Sequence, residues 1–258
     1  MARLTTIAAM SVVAVAAPQL RAQSPACPSS TTATLAAGLG QSDRVDMTAS
    51  PIQFGGRGLD INGSFERSFG SLCVVTSGRG GRKTLTPATP GSSSLERLTD
   101  GELSITALRA FRAEPSAARA LAFGAELHGE VAVTTHAYAD PEGTVSTYRL
   151  GLLSLGPAVR WRQSLLGGTA VVQLASPVLS LVDHPYTAGT SALRVQTASL
   201  GSLRGLQGLV SYELPPVHGL SLRATYRASG LWFDDVRPVR SLSQTLSIGI
   251  ATSLGSRR

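Results

Sequence analysis

The sequence predicts an all-β fold, an up-and-down antiparallel transmembrane β-barrel, with ten strands preferred and eight the next choice. Three observations carry this. Segment after segment alternates apolar and polar residues with a period of two, and turn residues separate the segments. After the first residues, no stretch approaches the about 20 apolar residues that a spanning helix needs. Only 15% of the 258 residues are charged, against about 25% in typical soluble domains, a deficit that suits a wall facing lipid.

The clearest segment is Leu121 to Val133. Leu121, Phe123, Ala125, Leu127, Val131 and Val133 occupy one parity, and Glu126, His128 and Glu130 the other. Successive side chains of a strand point to opposite faces, whereas a helix would scatter the three polar residues around its circumference. One face is therefore greasy and the other small and charged.

The remaining elements follow in order. Residues 1–22 have the form of a secretory signal peptide: Arg3, an uncharged apolar run from Thr6 to Ala17, and a small residue, Ala22, before Gln23. Residues 23–43, rich in Ser, Thr, Ala and Gly, are expected as a flexible periplasmic lead-in, and residues 44–258 as the barrel. Val45 to Phe54 is a weak strand with Pro51 in it. Leu59 to Arg67 alternates Leu59, Ile61 and Phe65 against Asp60, Asn62, Ser64 and Glu66, turns at Ser68-Phe69-Gly70, and pairs with Ser71 to Arg79. Gly78 to Asp100 is expected as the longest loop.

Glu102 to Arg112 is the next strand, then Leu121 onward. Val145 to Arg162 changes phase at Leu152-Leu153, which predicts a bulge there. Leu165-Leu166-Gly167-Gly168 is a turn before a strand from Thr169 to Val182. Leu193 to Leu214 ends at Pro215-Pro216, and Leu220 to Phe233 and Leu242 to Leu254 complete the set. Seven strands lie between Glu102 and Leu254. Leaving Leu59–Thr76 whole makes eight; splitting it and adding Val45–Phe54 makes ten. Aromatics at strand ends, Tyr138, Tyr148, Trp232 and Phe233 at one end and Phe111, Trp161 and Tyr212 at the other, predict two interfacial girdles.

In its last strand the chain resembles bacterial outer-membrane β-barrels. Ser247, Gly249 and Leu254 fall on the polar, glycine and final hydrophobic positions of their terminal insertion signal, Thr252 stands at another hydrophobic position, and the usual terminal aromatic is absent. The resemblance implies a bacterial outer-membrane location and recognition by the outer-membrane assembly machinery.

Basicity here is arginine, since Lys83 is the only lysine. Arginine suits planar contacts with phosphates, so outer-membrane lipids, and lipopolysaccharide phosphates among them, are the expected partners. No nucleic-acid motif is present. An exported chain with two cysteines predicts a Cys27–Cys73 disulfide.

For chemistry, Glu126, His128 and Glu130 share a face with Arg160 and Arg162, and Arg223 and Arg227 point the same way further round. Buried ions must be paired, so these seven are expected as a lumen network, with the glutamates neutralising Arg160 and Arg162. The alternative is a narrow charge-lined solute or ion channel. A metal between His128 and its glutamates would have loose geometry, and neither metal nor cofactor is expected. Asp183-His184 and Asp234-Asp235 resemble the catalytic pairs of omptins, ten-stranded outer-membrane proteases, and imply a hydrolase as a further alternative. In omptins each pair is spaced two apart on one face; here the members are adjacent. No catalytic residue is assigned.

Overall fold

A computed structural model describes residues 30–47, 50–69, 71–89, 94–111, 119–137, 145–184, 194–234 and 238–254. The strands are β1 (Thr31–Asp46), β2 (Ser50–Phe69), β3 (Leu72–Pro87), β4 (Leu95–Phe111), β5 (Arg119–Ala137), β6 (Val145–Leu165), β7 (Gly168–Ala175), β8 (Leu179–Asp183), β9 (Val195–Ser199), β10 (Leu203–Glu213), β11 (Leu220–Phe233) and β12 (Val239–Leu254). All pairings are antiparallel, and each sequence neighbour lies alongside, except where β6 takes β7 along one half and β8 along the other. β7 with β8 forms one position of the wall, and β9 with β10 another. β1 pairs with β12 from Thr31↔Leu254 to Asp46↔Val239, and this closes a barrel of 10 strands.

Alternation sets the two faces. Leu39 is 67% exposed and Leu59 70%, both on the outside, while their neighbours Gly40 and Asp60 are buried in the lumen. Leu121, Phe123, Leu127 and Val131 point outward, and Ala122, Glu126, His128 and Ala132 inward. A wall presenting this much contiguous leucine, isoleucine and phenylalanine is stable only against lipid. No helix of the described residues is long and apolar enough to cross a membrane; the strands do so.

Two turns at the end that carries the termini are tight. Leu166 and Gly167 have φ of 49° and 79°, and His218 and Gly219 have 52° and 83°. Positive φ at both central residues is the hairpin geometry that matches strand twist, and glycine takes the second place without strain. The other end, the mouth, carries the longer connections.

The structure corrects several expectations. Residues 31–43 are not a lead-in but most of β1. Their alternation is faint because the inward side is Ala36, Gly38 and Gly40, which leave room for larger lumen residues from neighbouring strands. Val45–Phe54 is not one strand: Val45 and Asp46 end β1, and Ser50 to Phe54 open β2. Residues 78–87 and 95–100 are strand rather than loop, because hydrogen bonding to β2 and β5 on either side outweighs their poor propensity.

There is no bulge at Leu152-Leu153: β6 keeps an unbroken register with β5 from Arg119↔Gln163 to Ala137↔Val145. The phase change has another cause. The lumen itself turns apolar towards the mouth, so Tyr148, Leu150 and Leu152 point inward. The real bulge lies one strand later, at Ser176–Val178, where the register with β6 slips from Ala158↔Ala175 to Leu155↔Leu179. Pro177 occupies it, a place that suits a residue without an N–H.

The aromatic girdles are thinner than expected for the same reason. Trp232 faces outward at the mouth, and Trp161 and Tyr212 lie on the outer face at the other end, where the Tyr212 hydroxyl donates to the Leu165 carbonyl at 3.0 Å. Tyr148 and Phe233 are buried in the lumen instead. Phe111 ends β4, and Tyr138 lies outside the described residues. The signal-peptide segment also lies outside them.

Candidate functional site

The lumen is layered. At the mouth, Phe54, Leu85, Leu98, Leu150, Leu152, Leu231, Phe233 and Val239 form an apolar cluster. At the turn end, Cys73, Val75, Leu108, Ala120, Ala122, Ala158 and Ala175 form a second. Cys73 is disulfide-bonded; its expected partner, Cys27, lies outside the described residues. A band of ions runs below the mouth cluster and continues at Glu66, Arg160 and Arg162 alongside the second cluster, which lies on β3 to β7.

The band centres on Asp60, whose side chain is fully buried. Its carboxylate accepts from Arg79 Nη1 at 3.2 Å, Lys83 Nζ at 3.0 Å and Thr245 Oγ1 at 2.6 Å. Lys83 also donates to Asp100 at 2.9 Å, and Arg79 to Asp100 at 2.5 Å and to Glu102. Two glycines make this possible. A Cβ on Gly40 would lie 2.0 Å from one Asp60 oxygen, and one on Gly81 1.7 Å from the other. Glycine in a strand here marks a close approach.

The seven residues expected as a network all sit in the band or at its edges, but with other partners. Arg160 donates to Glu66 at 2.7 Å, and Arg162 lies 3.7 Å from the same carboxylate. Arg223 binds Glu213, with Nε at 2.9 Å, and Arg227 reaches Glu102 at 3.4 Å. Glu126 accepts instead from Thr106 Oγ1 at 2.8 Å and Gln173 Nε2 at 3.1 Å. His128 lies 3.8 Å from Glu130. The expected neutralisation of Arg160 and Arg162 by Glu126 and Glu130 is therefore overturned. A face is shared by all even positions around the wall, and alternation does not say which height each occupies.

Because Glu126 has neutral donors, Glu126→Ala is expected to cost only about 1–3 kcal/mol, the desolvation of two unpaired donors. Equilibrium unfolding in lipid vesicles checks this. A loss as large as that of a buried ion pair would place a cation on Glu126.

Two carboxylate–imidazole pairs lie just under the mouth. His184 Nε2 is 3.3 Å from Asp46, which also takes Arg44 Nη2 at 2.8 Å; His136 Nδ1 is 3.1 Å from Glu96. The Phe54 ring meets His136 edge-on with centroids 5.1 Å apart, and Phe233 meets His184 at 6.2 Å. Asp46, Glu96 and His136 had no place among the expected site residues. Asp46 fell in the weak strand expected over Val45–Phe54, and Glu96 inside the supposed loop.

The adjacent pair Asp183-His184 splits as strand geometry demands. His184 faces the lumen, and Asp183 faces outward to Arg149 Nη2 at 2.9 Å. Asp234 is exposed, and Asp235 lies outside the described residues. Among the described residues no group of three His, Cys, Asp or Glu side chains could hold a metal. The cavities within the ionic band are small, about 30 Å³ beside Glu126 and Gln173 and about 40 Å³ beside Glu66 and Arg160. Each has room for a water or two.

No family model and no curated protein matches the sequence. Solved structures do. The outer membrane protease OmpT from Escherichia coli aligns with a TM-score of 0.55 at 8% identity, over 88% of this chain and 97% of that one. The translocator domain of the autotransporter NalP from Neisseria meningitidis aligns at 0.49 and 7% identity, over 88% and 89%. At 8% identity the likeness to OmpT is one of fold, and with the lipid-facing wall it establishes the architecture: the chain has the fold of a bacterial outer-membrane β-barrel.

Proposed function

We propose that the protein is a closed outer-membrane barrel with a structural or surface-interaction role, without solute conduction and without hydrolytic activity. One observation carries this: at the mouth an apolar cluster with members from β2 to β6 and from β8 to β12 covers an ionic band whose charges are paired with one another. A conducting pore needs a continuous polar path. Here the carboxylates and guanidinium groups of the lumen are paired with each other. The two carboxylate–imidazole pairs support the same reading. All four of their side chains are at most 4% exposed, so neither pair offers a proton to a substrate in the mouth.

Planar-bilayer recording tests it. The wild-type barrel is expected to insert without steady conductance, and truncation of the mouth cluster by Phe54→Ala with Phe233→Ala is expected to produce brief openings. Steady, charge-selective current through the wild type would replace this reading with that of a narrow channel. Cleavage of a basic peptide by the wild type in lipid, abolished by His184→Ala, would replace it with a hydrolase.

A further inference from the structure

Outside the lumen, strand registers assemble a feature that the closed-barrel reading leaves unused. Across β2 to β6, Arg57, Thr84, Arg97, Thr135 and Thr147 stand side by side on the outer face in one row. The next row towards the termini is Leu59, Arg82, Thr99, Val133 and Arg149. Arg57, Arg82 and Arg97 are exposed, and no described carboxylate pairs with them. Arg149 is held against Asp183 at 2.9 Å with its side chain 31% exposed. Four guanidinium groups and four threonine hydroxyls thus share one patch.

Directly below, the wall thins. Gly80 and Gly101 are paired, Val131 separates Gly101 from Gly151, and Gly129 lies between Leu103 and Leu153 in the following row. Gly101, Gly129 and Gly151 floor a groove of about 650 Å³, walled by Leu103, Leu153 and Leu181. These glycines are not forced by crowding. A Cβ would meet nothing nearer than 3.9 Å at Gly101 and 3.8 Å at Gly129. Larger side chains would fit, and their absence leaves the groove open.

The geometry points to a binding site for a phosphorylated lipid of the outer leaflet, lipopolysaccharide, with headgroup phosphates on the arginine–threonine patch and an acyl chain in the glycine groove. Charge complementarity selects the headgroup, since arginine binds phosphate in planar, bidentate fashion. Arg82 and Arg149 stand three strands apart, about 14 Å at the usual strand spacing, which suits a headgroup with more than one phosphate. The groove continues from the patch towards the membrane centre, as a chain attached to that headgroup would. The inference rests on the outer-membrane reading and on the mouth facing outward, and not on whether the lumen conducts.

The test uses the full barrel in detergent micelles, titrated with lipopolysaccharide and followed by tryptophan fluorescence and native mass spectrometry. Heat-modifiable gel mobility verifies folding of every variant. Saturable binding is expected, and Arg57→Ala with Arg82→Ala and Arg97→Ala is expected to weaken it on the order of 100-fold, at roughly one kcal/mol per basic residue at a membrane surface. Gly129→Leu, which fills the groove, is expected to weaken lipopolysaccharide while leaving its deacylated form unaffected. Should the triple variant fail to fold, Arg97→Ala alone carries the same comparison. The proposal falls if these variants bind as the wild type does. It also falls if Arg67→Ala with Arg109→Ala and Arg119→Ala, at the opposite end, weakens binding equally, or if phosphatidylglycerol vesicles or inorganic phosphate compete as well as lipopolysaccharide. Steady conductance by a barrel that still binds would overturn the closed-lumen reading and leave this one standing.

Discussion

Asp60→Ala is expected to destabilise the barrel by about 3–5 kcal/mol, the cost of stranding a buried charge. Asp60 touches both Arg79 and Lys83, and neither cation reaches water: the Lys83 side chain is fully buried and that of Arg79 is 3% exposed. Asp100 and Glu102 remain, but they bind the far sides of those cations. The emptied position cannot be filled by a shifted neighbour, because the glycine backbones at 40 and 81 bring no side chain to it. Urea unfolding in lipid vesicles measures the loss. The companion variant Asp60→Ala with Lys83→Met removes a charge from each sign and is expected to regain most of it, since an apolar replacement of both partners is often neutral. If the double variant is no better than the single, the loss comes from packing and not from charge.

The site at Asp60 could have been read only in part from the sequence. Asp60 and Glu66 were visible on the polar parity of an alternating segment, and Leu121 to Val133 displayed both faces of the wall outright. Arg79 and Lys83 share a parity as well, as do Asp100 and Glu102. Yet they sit among glycines, serines and threonines whose local preferences point to a loop, and only pairing with β2 and β5 makes them strand. The lumen's change from ionic to apolar was misread for a related reason. Periodicity reports that a face changes character, and a bulge and a plug give the same signal when Tyr148, Leu150 and Leu152 replace serines and arginines. The true bulge at Pro177 was hidden because Val171 to Val182 is apolar at most positions of either parity, so a slip of one residue breaks no visible alternation. Pairings across the lumen, such as Glu66 with Arg160, join strands that are not neighbours, and no local pattern encodes them.

That last pair gives the second large effect. Glu66 in β2 and Arg160 in β6 lie 94 residues apart and meet through the lumen at 2.7 Å, both side chains 4% exposed. Their neighbour Arg162 depends on the same carboxylate at 3.7 Å. Glu66→Ala therefore leaves two guanidinium groups facing each other with no described carboxylate on Arg160, and a loss of about 3–5 kcal/mol is expected. A double-mutant cycle with Arg160→Ala isolates the tie from the packing of the two side chains. Its coupling energy is expected to be about 2–3 kcal/mol, within the range for residues that share one ion-pair network. The outer pair Arg149–Asp183 serves as the internal standard. It is as short, at 2.9 Å, but its side chains are 31% and 14% exposed, so a cycle there is expected to give less than about 1 kcal/mol. Equal coupling at the two places would mean that water reaches Glu66 freely. A hydrated Glu66 would place an aqueous path beside it, contrary to a lumen closed by its own side chains.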